Sequence, residues 1–461
     1  MTQPHPAPHT LPLPPRPEAG PGGEGAASPL DTLPALTRAY GDLVLIGKTE
    51  EGAPMCLVSD PHLIEFIHVQ TGRLFDKGYQ NAAINTLLFG NGLVTSEGDF
   101  WLRQRRMVQP AFHRERIRAY GEVMVDAAQR YVEGVRPGEA RDVHSDMMHL
   151  TLDIITKTLF DLEMGERAQP FERAMNDMFE ADVVLRSALR GGEEHPEAFA
   201  AFQDATSRID RFVADLIRER RAEGGEDRGD LLSTLLAAQD DEQRGMTDQQ
   251  LLDEAKNLIM AGHETTANTL TWAWWLLSRH PEAEARLHEE LDRELGGRVP
   301  TLADLPRLTY TGQVIQEAMR VIPPVWTVGR RAKGNMDLGG FFIPAGTALV
   351  MSQWVVHHDG RWYDAPEEFR PERWAGDLEK TNPRYAFFPF GGGPRVCIGE
   401  NFARMEAPLL LATIASRHAV RVLPEPPALI EAAITLRPRH GLRATFEPRG
   451  GEDASSAPTP M

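Results

Sequence analysis

Cys397 sits in the stretch FPFGGGPRVCIGENFA (residues 388–403), with an arginine two residues before it and a glycine two after. The chain has one other cysteine, Cys56. A thiol in these surroundings could serve a phosphate loop, a redox pair, a metal or the core. Both phosphate readings fail on spacing. The dinucleotide fingerprint needs a third glycine where Val396 stands, and the phosphate-loop signature needs Lys then Ser or Thr where Glu400 and Asn401 follow Gly399. No second cysteine lies at redox or zinc spacing. What remains is one thiol at the start of a predicted helix over IGENFARMEAPLLLATI, whose free N–H groups and dipole would stabilise a thiolate. A lone cysteine is more often a small buried hydrophobe, so this residue by itself leaves ligand and core filler both open.

A second stretch, Ala261-Gly262-His263-Glu264-Thr265-Thr266, interrupts an apolar helical run with polar atoms and bare backbone. Burying those groups is unfavourable unless something polar binds there. The plainer account is a core helix bent by threonine bonding back to the carbonyl four residues earlier. Glu317 and Arg320 are three apart on one predicted helix, so their side chains can meet. On a surface such a pair contributes roughly 0–1 kcal/mol.

Together these segments carry a resemblance. Phe390-x-x-Gly393-x-Arg395-x-Cys397-x-Gly399 resembles the haem-thiolate signature of the cytochrome P-450 family at every position. WLRQR resembles the family's Trp-x-x-x-Arg, AGHETT its oxygen-activation segment, QEAMR its Glu-x-x-Arg and FRPERW its Pro-Glu-Arg stretch, with Trp374 where Phe is commoner. All five occur in the family's order, and the resemblance covers about Leu33 to Phe446.

The resemblance implies a mainly α (α+β) fold: one helix-rich domain with small β-sheets at one edge. It implies haem b as cofactor, with Cys397 as the thiolate ligand of the iron and Phe390 beside it. A thiolate ligand pushes electron density toward the iron and favours O–O cleavage. Trp101, Arg105, Arg330 and Arg395 become partners of the haem propionates, since arginine pairs well with carboxylates. Gly399 belongs to the cysteine loop, and Ala261 and Gly262 border the groove for dioxygen. Thr265 would hold the oxygen and a water, and Glu264 would help relay the two protons that O–O cleavage needs. His263 is expected on a helix face and not on the iron. Glu317, Arg320 and Arg373 form a structural brace with no share in the chemistry.

The expected activity is a monooxygenase that draws two electrons from separate proteins, a ferredoxin and its reductase or a flavodoxin. The implied substrate pocket includes Ile259, Val325, Trp326, Val328 and Ile434, with the loop from Tyr79 to Leu93 nearby. Its apolar lining suits a lipid-like substrate of the fatty acid, terpenoid or carotenoid class. A haem protein that binds or senses without turnover, and a peroxide-using or isomerising relative, are the alternatives. The intact Glu264–Thr265 pair speaks against both, because neither needs controlled proton delivery. Arg103, Arg105, Arg106, Arg114, Arg116 and Arg118 cluster with one acid, Glu115, among them. Part of that cluster is expected to steer an acidic electron donor.

These residues need a scaffold, and the chain can supply one. Its 461 residues are 41% apolar and 25% charged, ordinary values for a globular protein. With 49 basic and 67 acidic residues the formal charge is -18, which does not suit a nucleic-acid binder. Two cysteines make no disulfide framework, and no apolar run is long enough for a transmembrane anchor. A cytoplasmic monomer is expected. The Pro- and Gly-rich residues 1–32 and residues 447–461 are expected to be disordered tails around a domain at 33–446. Two short strands are predicted near DLVLIGKTEEGAPMCLVSD and a helix from Pro61. Helices dominate from Phe100 to about Leu295, and strands and helices alternate after Pro300.

Overall fold

The computed structural model describes residues 11–17, 28–49, 51–78, 82–191, 195–224, 228–239 and 245–449. The N-terminal helices are α1 (Pro29–Tyr40), α2 (Pro61–Val69), α3 (Ala82–Phe89), α4 (Gly98–Val108) and α5 (Arg114–Glu133). The central ones are α6 (Val143–Phe160), α7 (Ala168–Gly191), α8 (Pro196–Ala222), α9 (Leu231–Ala237) and α10 (Asp248–Arg279). The last group is α11 (Pro281–Leu295), α12 (Thr309–Val321), α13 (Gln353–His357), α14 (Leu378–Thr381) and α15 (Glu400–Ala415). Side-chain caps explain several starts. Asp60 accepts from the N–H groups of His62 and Leu63 at the head of α2, and Asp142 does the same for His144 and Ser145 at α6. Thr247 and Gln250 form a reciprocal capping box that opens α10.

The sheets are small and peripheral. Strands β1 (Leu43–Lys48), β2 (Pro54–Val58) and β3 (Phe75–Asp76) lie early, and β4 (Ala140–Asp142) precedes α6. Strands β5 (Val328–Ala332), β6 (Met336–Leu338), β7 (Phe341–Ile343) and β8 (Ala348–Met351) follow α12. Strands β9 (His418–Val422), β10 (Ile430–Ala432), β11 (Leu436–Pro438) and β12 (Arg443–Pro448) end the fold. The largest sheet has the order β1-β2-β8-β5-β3, with β2 and β8 parallel and the other pairs antiparallel. β4-β12-β9 form a second sheet, and β6-β7 and β10-β11 are hairpins.

Two apolar clusters hold these parts. The larger surrounds α10, whose residues are buried over most of the helix. The smaller joins the main sheet to α2 and to Tyr385 and Phe388, just ahead of the cysteine loop. The expected mainly α architecture with edge sheets is therefore what the chain adopts. Among the described residues no helix is long and apolar enough to cross a membrane.

The expected boundaries need correction. Helix α1 begins at Pro29, not after residue 32. Pro12 and Pro15 are held as well, their carbonyls accepting from Phe342 N and Leu45 N at 2.9 Å each. A proline carbonyl can satisfy the outer N–H of an edge strand without presenting a donor to a further strand. At the other end β12 runs to Pro448, and Arg449 donates to Ala415 O at 2.9 Å. The rest of the two expected tails, residues 1–10, 18–27 and 450–461, lies outside the described residues.

Candidate active site

Cys397 lies three residues before α15, at the end of a tightly turned loop. Its N–H donates to Phe390 O at 3.0 Å, which closes the loop between them. Gly393 has φ +63°, and a Cβ there would overlap the carbonyl of His68 on α2. A side chain is therefore excluded by conformation and by space. The thiol is accessible, yet protein surrounds it. Burial pushes its pKa up, and this outweighs the N–H groups of Gly399 and Glu400 and the nearby Arg105, which act in the opposite direction. The expected helix-end stabilisation is thus present but is not the larger effect. A thiol held protonated this way ionises when a cation binds it. Among the described residues no cluster of three or more His, Cys, Asp and Glu could hold a bare ion. A metal on Cys397 must bring its other ligands with it.

Basic side chains gather beside this loop. Arg105 donates to Val396 O at 3.1 Å, tying α4 to the residue before the cysteine. The Arg395 guanidinium lies 4.0 Å from the centroid of the Trp101 ring, and its Nη2 donates to Ser96 O and Glu97 Oε2 at 2.7 Å each. Arg330, on β5, donates to Thr71 Oγ1 at 3.0 Å. Lys77 donates from Nζ to Val94 O at 2.6 Å. Burial, with Arg330 and Arg395 close by, pulls the Lys77 ammonium down to about 7 despite the opposing Glu97 carboxylate. Burial also lowers Arg105 and Arg395. Lys77 and Arg395 thus share the Glu97 carboxylate, with Arg105 and Arg330 adding further enclosed positive charge, a balance that favours an anionic ligand. A group carrying two carboxylates suits it.

The polar segment expected to face dioxygen lies in the middle of α10. Between residues 253 and 274 its accessible positions are Ala261, Gly262 and Thr265; the rest is buried. Ala261 and Thr265 are one turn apart, so both face the same open space. The Thr265 hydroxyl donates to Ala261 O at 2.9 Å, as the helix-bending account expects. Glu264 is 5% exposed and accepts from Thr435 Oγ1 at 2.6 Å. Burial raises its pKa to about 7, so it carries a proton over part of the neutral range. His263 has its Nδ1 3.0 Å from Ile259 O, one turn back on the same helix. Gly262 answers to packing first: a Cβ there would come within 2.6 Å of Ile155 Cδ1 on α6.

Glu317, Arg320 and Arg373 meet as expected. Arg320 donates from Nε and Nη2 to the Glu317 carboxylate at 2.9 and 2.8 Å, and Arg373 Nε donates to it at 2.8 Å. Trp374 Nε1 adds a donor at 2.8 Å. Arg320 also donates to His357 O at 2.8 Å, and His357 Nε2 accepts from Phe388 N at 3.2 Å. The ion cluster is thereby tied to the strand of backbone that leads into the cysteine loop.

The pocket residues divide. Val325, Val328 and Ile434 are half-buried, and Trp326 is buried with its Nε1 donating to Ala433 O at 3.0 Å. Ile259 is fully buried, and the pocket expectation is corrected for it. Two residues on a helix are about 200° apart, so Ile259 faces away from Ala261. Tyr79 lies outside the described residues, and the expected loop after it contains α3. Lys77, Glu97, Thr435 and His357 were not anticipated. Arg395 and Glu97 are 298 positions apart, and no local spacing signals such a pair.

The family model described as Cytochrome P450 matches residues 14–442. The chain is 37% identical to cyclooctatin synthase of Streptomyces melanosporofaciens, over 92% of this chain and 90% of that protein. It is 38% identical to cyclooctat-9-en-7-ol 5-monooxygenase of the same organism, over 86% of each. It is 36% identical to pentalenene oxygenase of Streptomyces avermitilis, over 86% of this chain and 88% of that one. The crystal structure of the cytochrome P450DA heme domain superposes with a TM-score of 0.85 at 28% identity, covering 95% of this chain and 98% of that one.

Proposed function

This chain belongs to the cytochrome P450 family of haem-thiolate monooxygenases, and from that premise we propose that it hydroxylates a terpenoid using electrons from a separate ferredoxin and its reductase. The observations that support this reading are the accessible Cys397 in its tightly turned loop and the accessible Ala261 and Thr265 on the otherwise buried middle of α10. Terpenoid is chosen over fatty acid and carotenoid because relatives at 36–38% identity are named for cyclooctat-9-en-7-ol and pentalenene. A cytoplasmic setting goes with that reading.

Haem b, which the Cys397 thiolate would hold, would supply an iron whose thiolate partner favours O–O cleavage. The chain does the rest. Arg105, Arg330, Lys77 and, with Glu97 alongside, Arg395 receive the carboxylates. Phe390 packs beside the sulfur. Thr265 keeps lone pairs for a donor in the open space, since its own proton goes to Ala261 O. Glu264 holds a proton near neutral pH and passes it toward Thr265. Val325, Trp326, Val328 and Ile434 give an apolar wall that excludes water.

Reduced protein under carbon monoxide should show the strongly red-shifted Soret band of thiolate-ligated haem, and Cys397→Ala should abolish it. Cyclic terpenes should shift the ferric spin state at lower concentration than fatty acids. A better response to fatty acids would overturn the substrate assignment.

A further inference from the structure

On the His263 side of α10 lies a cavity of about 500 Å³ between α6, α7, α10 and the β10-β11 hairpin. His144 and His263 line it, with Glu172, Glu431, Arg437 and Arg439. The Arg439 side chain is 51% exposed, so the rim reaches the surface. From the wall of this cavity a chain of hydrogen bonds runs inward. His144 Nε2 lies 3.1 Å from Asn268 Oδ1. Asn268 Nδ2 donates to Thr435 Oγ1 at 3.1 Å, and Thr435 Oγ1 donates to Glu264 Oε1 at 2.6 Å. Asn268 and Thr435 are both buried.

The donors in this chain point one way. Asn268 Nδ2 occupies one lone pair of the Thr435 oxygen, and an ionised Glu264 carboxylate can only accept, so in that state the Thr435 proton goes to Glu264 Oε1. Asn268 Oδ1 can only accept, so His144 must carry its proton on Nε2. Burial holds His144 at about 4, which keeps the ring neutral and its tautomer set by this contact. An amide does not pass protons along such a chain, so the chain orients groups and conducts nothing.

We propose that Thr435 and Asn268 are positioning residues for Glu264, anchored on His144, and that their one-way donation reserves Glu264 Oε1 as an acceptor and assigns the acid's proton to Oε2. This rests on the reading of Glu264 as the proton donor. The other charges near Glu264 are Arg437 on β11, which lowers its pKa, and Asp182 on α7, which raises it. Neither bonds the carboxyl as Thr435 does.

The test uses haem-loaded ferric protein and infrared difference spectra across pH 5–9. The carboxylic C=O band that Glu264→Gln removes reports Glu264. Thr435→Val deletes a donor to the ionised form, so the band's midpoint should rise by about one pH unit, and Thr435→Ser should restore it. Asn268→Leu should move it the same way by less. A midpoint unchanged in Thr435→Val and Asn268→Leu, or no Glu264 band above pH 5, overturns the proposal. The underlying reading fails separately, if Glu264→Gln leaves peroxide released per electron unchanged.

Discussion

The Thr265 hydroxyl donates to the carbonyl of Ala261, 2.9 Å away and one turn back on α10. With Gly262 they are the accessible positions between residues 253 and 274 of this helix. The contact fixes the hydroxyl's direction and leaves its lone pairs able to accept from another donor. Thr265→Ala should keep the red-shifted carbon monoxide band but lower product formed per electron consumed, with peroxide rising to match. Thr265→Ser should retain most of the coupling. Unchanged product per electron in the alanine variant would remove Thr265 from oxygen activation.

Glu264 imposes a pH dependence on stability. Its folded pKa, about 7, is raised above an ordinary 4.5 by burial. The folded state therefore binds more protons than the unfolded state between those values, and stability falls as pH rises through that window. Below about pH 4.5 the penalty is absent; above about 7 it is complete, at about 3 kcal/mol. The stability of Glu264→Gln relative to the parent should improve from pH 5 to pH 8 in denaturant unfolding. A difference that stays flat across that range would contradict the burial argument.

Lys77 should act oppositely with and without haem. It adds a cation to Arg105, Arg330 and Arg395, with Glu97 as the nearby carboxylate. Lys77→Met should raise the thermal midpoint of haem-free protein and weaken haem retention by roughly tenfold, about 1.4 kcal/mol. Haem transfer to apomyoglobin measures the second effect. Equal shifts in both forms would mean that the cations have no anionic ligand to neutralise them.

Trp374 stands where the resemblance expects phenylalanine, and its indole N–H reaches Glu317 at 2.8 Å. Trp374→Phe should cost about 1 kcal/mol of stability by removing that donor. Glu317→Ala leaves Arg320 and Arg373 without their carboxylate and should cost about 3–5 kcal/mol. Both are read from unfolding midpoints of the loaded protein, and the larger loss should be accompanied by poor haem incorporation.

The arginine cluster near α4 and α5 does not act as one surface. Arg105 is turned to the cysteine loop, and Arg116 donates to Asp230 O at 3.3 Å. The side chain of Arg114 lies outside the described residues. Arg106 and Arg118 are exposed. Reversing these two to glutamate should slow reduction by a ferredoxin and flatten its dependence on salt. Reduction that keeps its rate and salt slope would place the donor elsewhere.

Local order was legible in the sequence wherever chemistry is local. The cysteine loop, the Glu317–Arg320 spacing, the polar break in α10 and the breaker-rich ends of helices all depend on neighbours within a few positions. So did the mainly α architecture, because caps and apolar periodicity act over one or two turns. Contacts between distant segments were a different matter. Thr435 reaches Glu264 across 171 positions, and Arg395 reaches Glu97 across 298. Side-chain direction was also undetermined: Ile259 and Ala261 are two apart, yet one is buried and the other faces the open space. Which face of α10 meets the cavity depends on how α6 packs against Gly262, and only the folded chain brings those surfaces together. The same holds for Cys397. The resemblance of its loop implied a ligand, but the balance between burial and N–H donors is set by atoms that tertiary packing gathers around the sulfur.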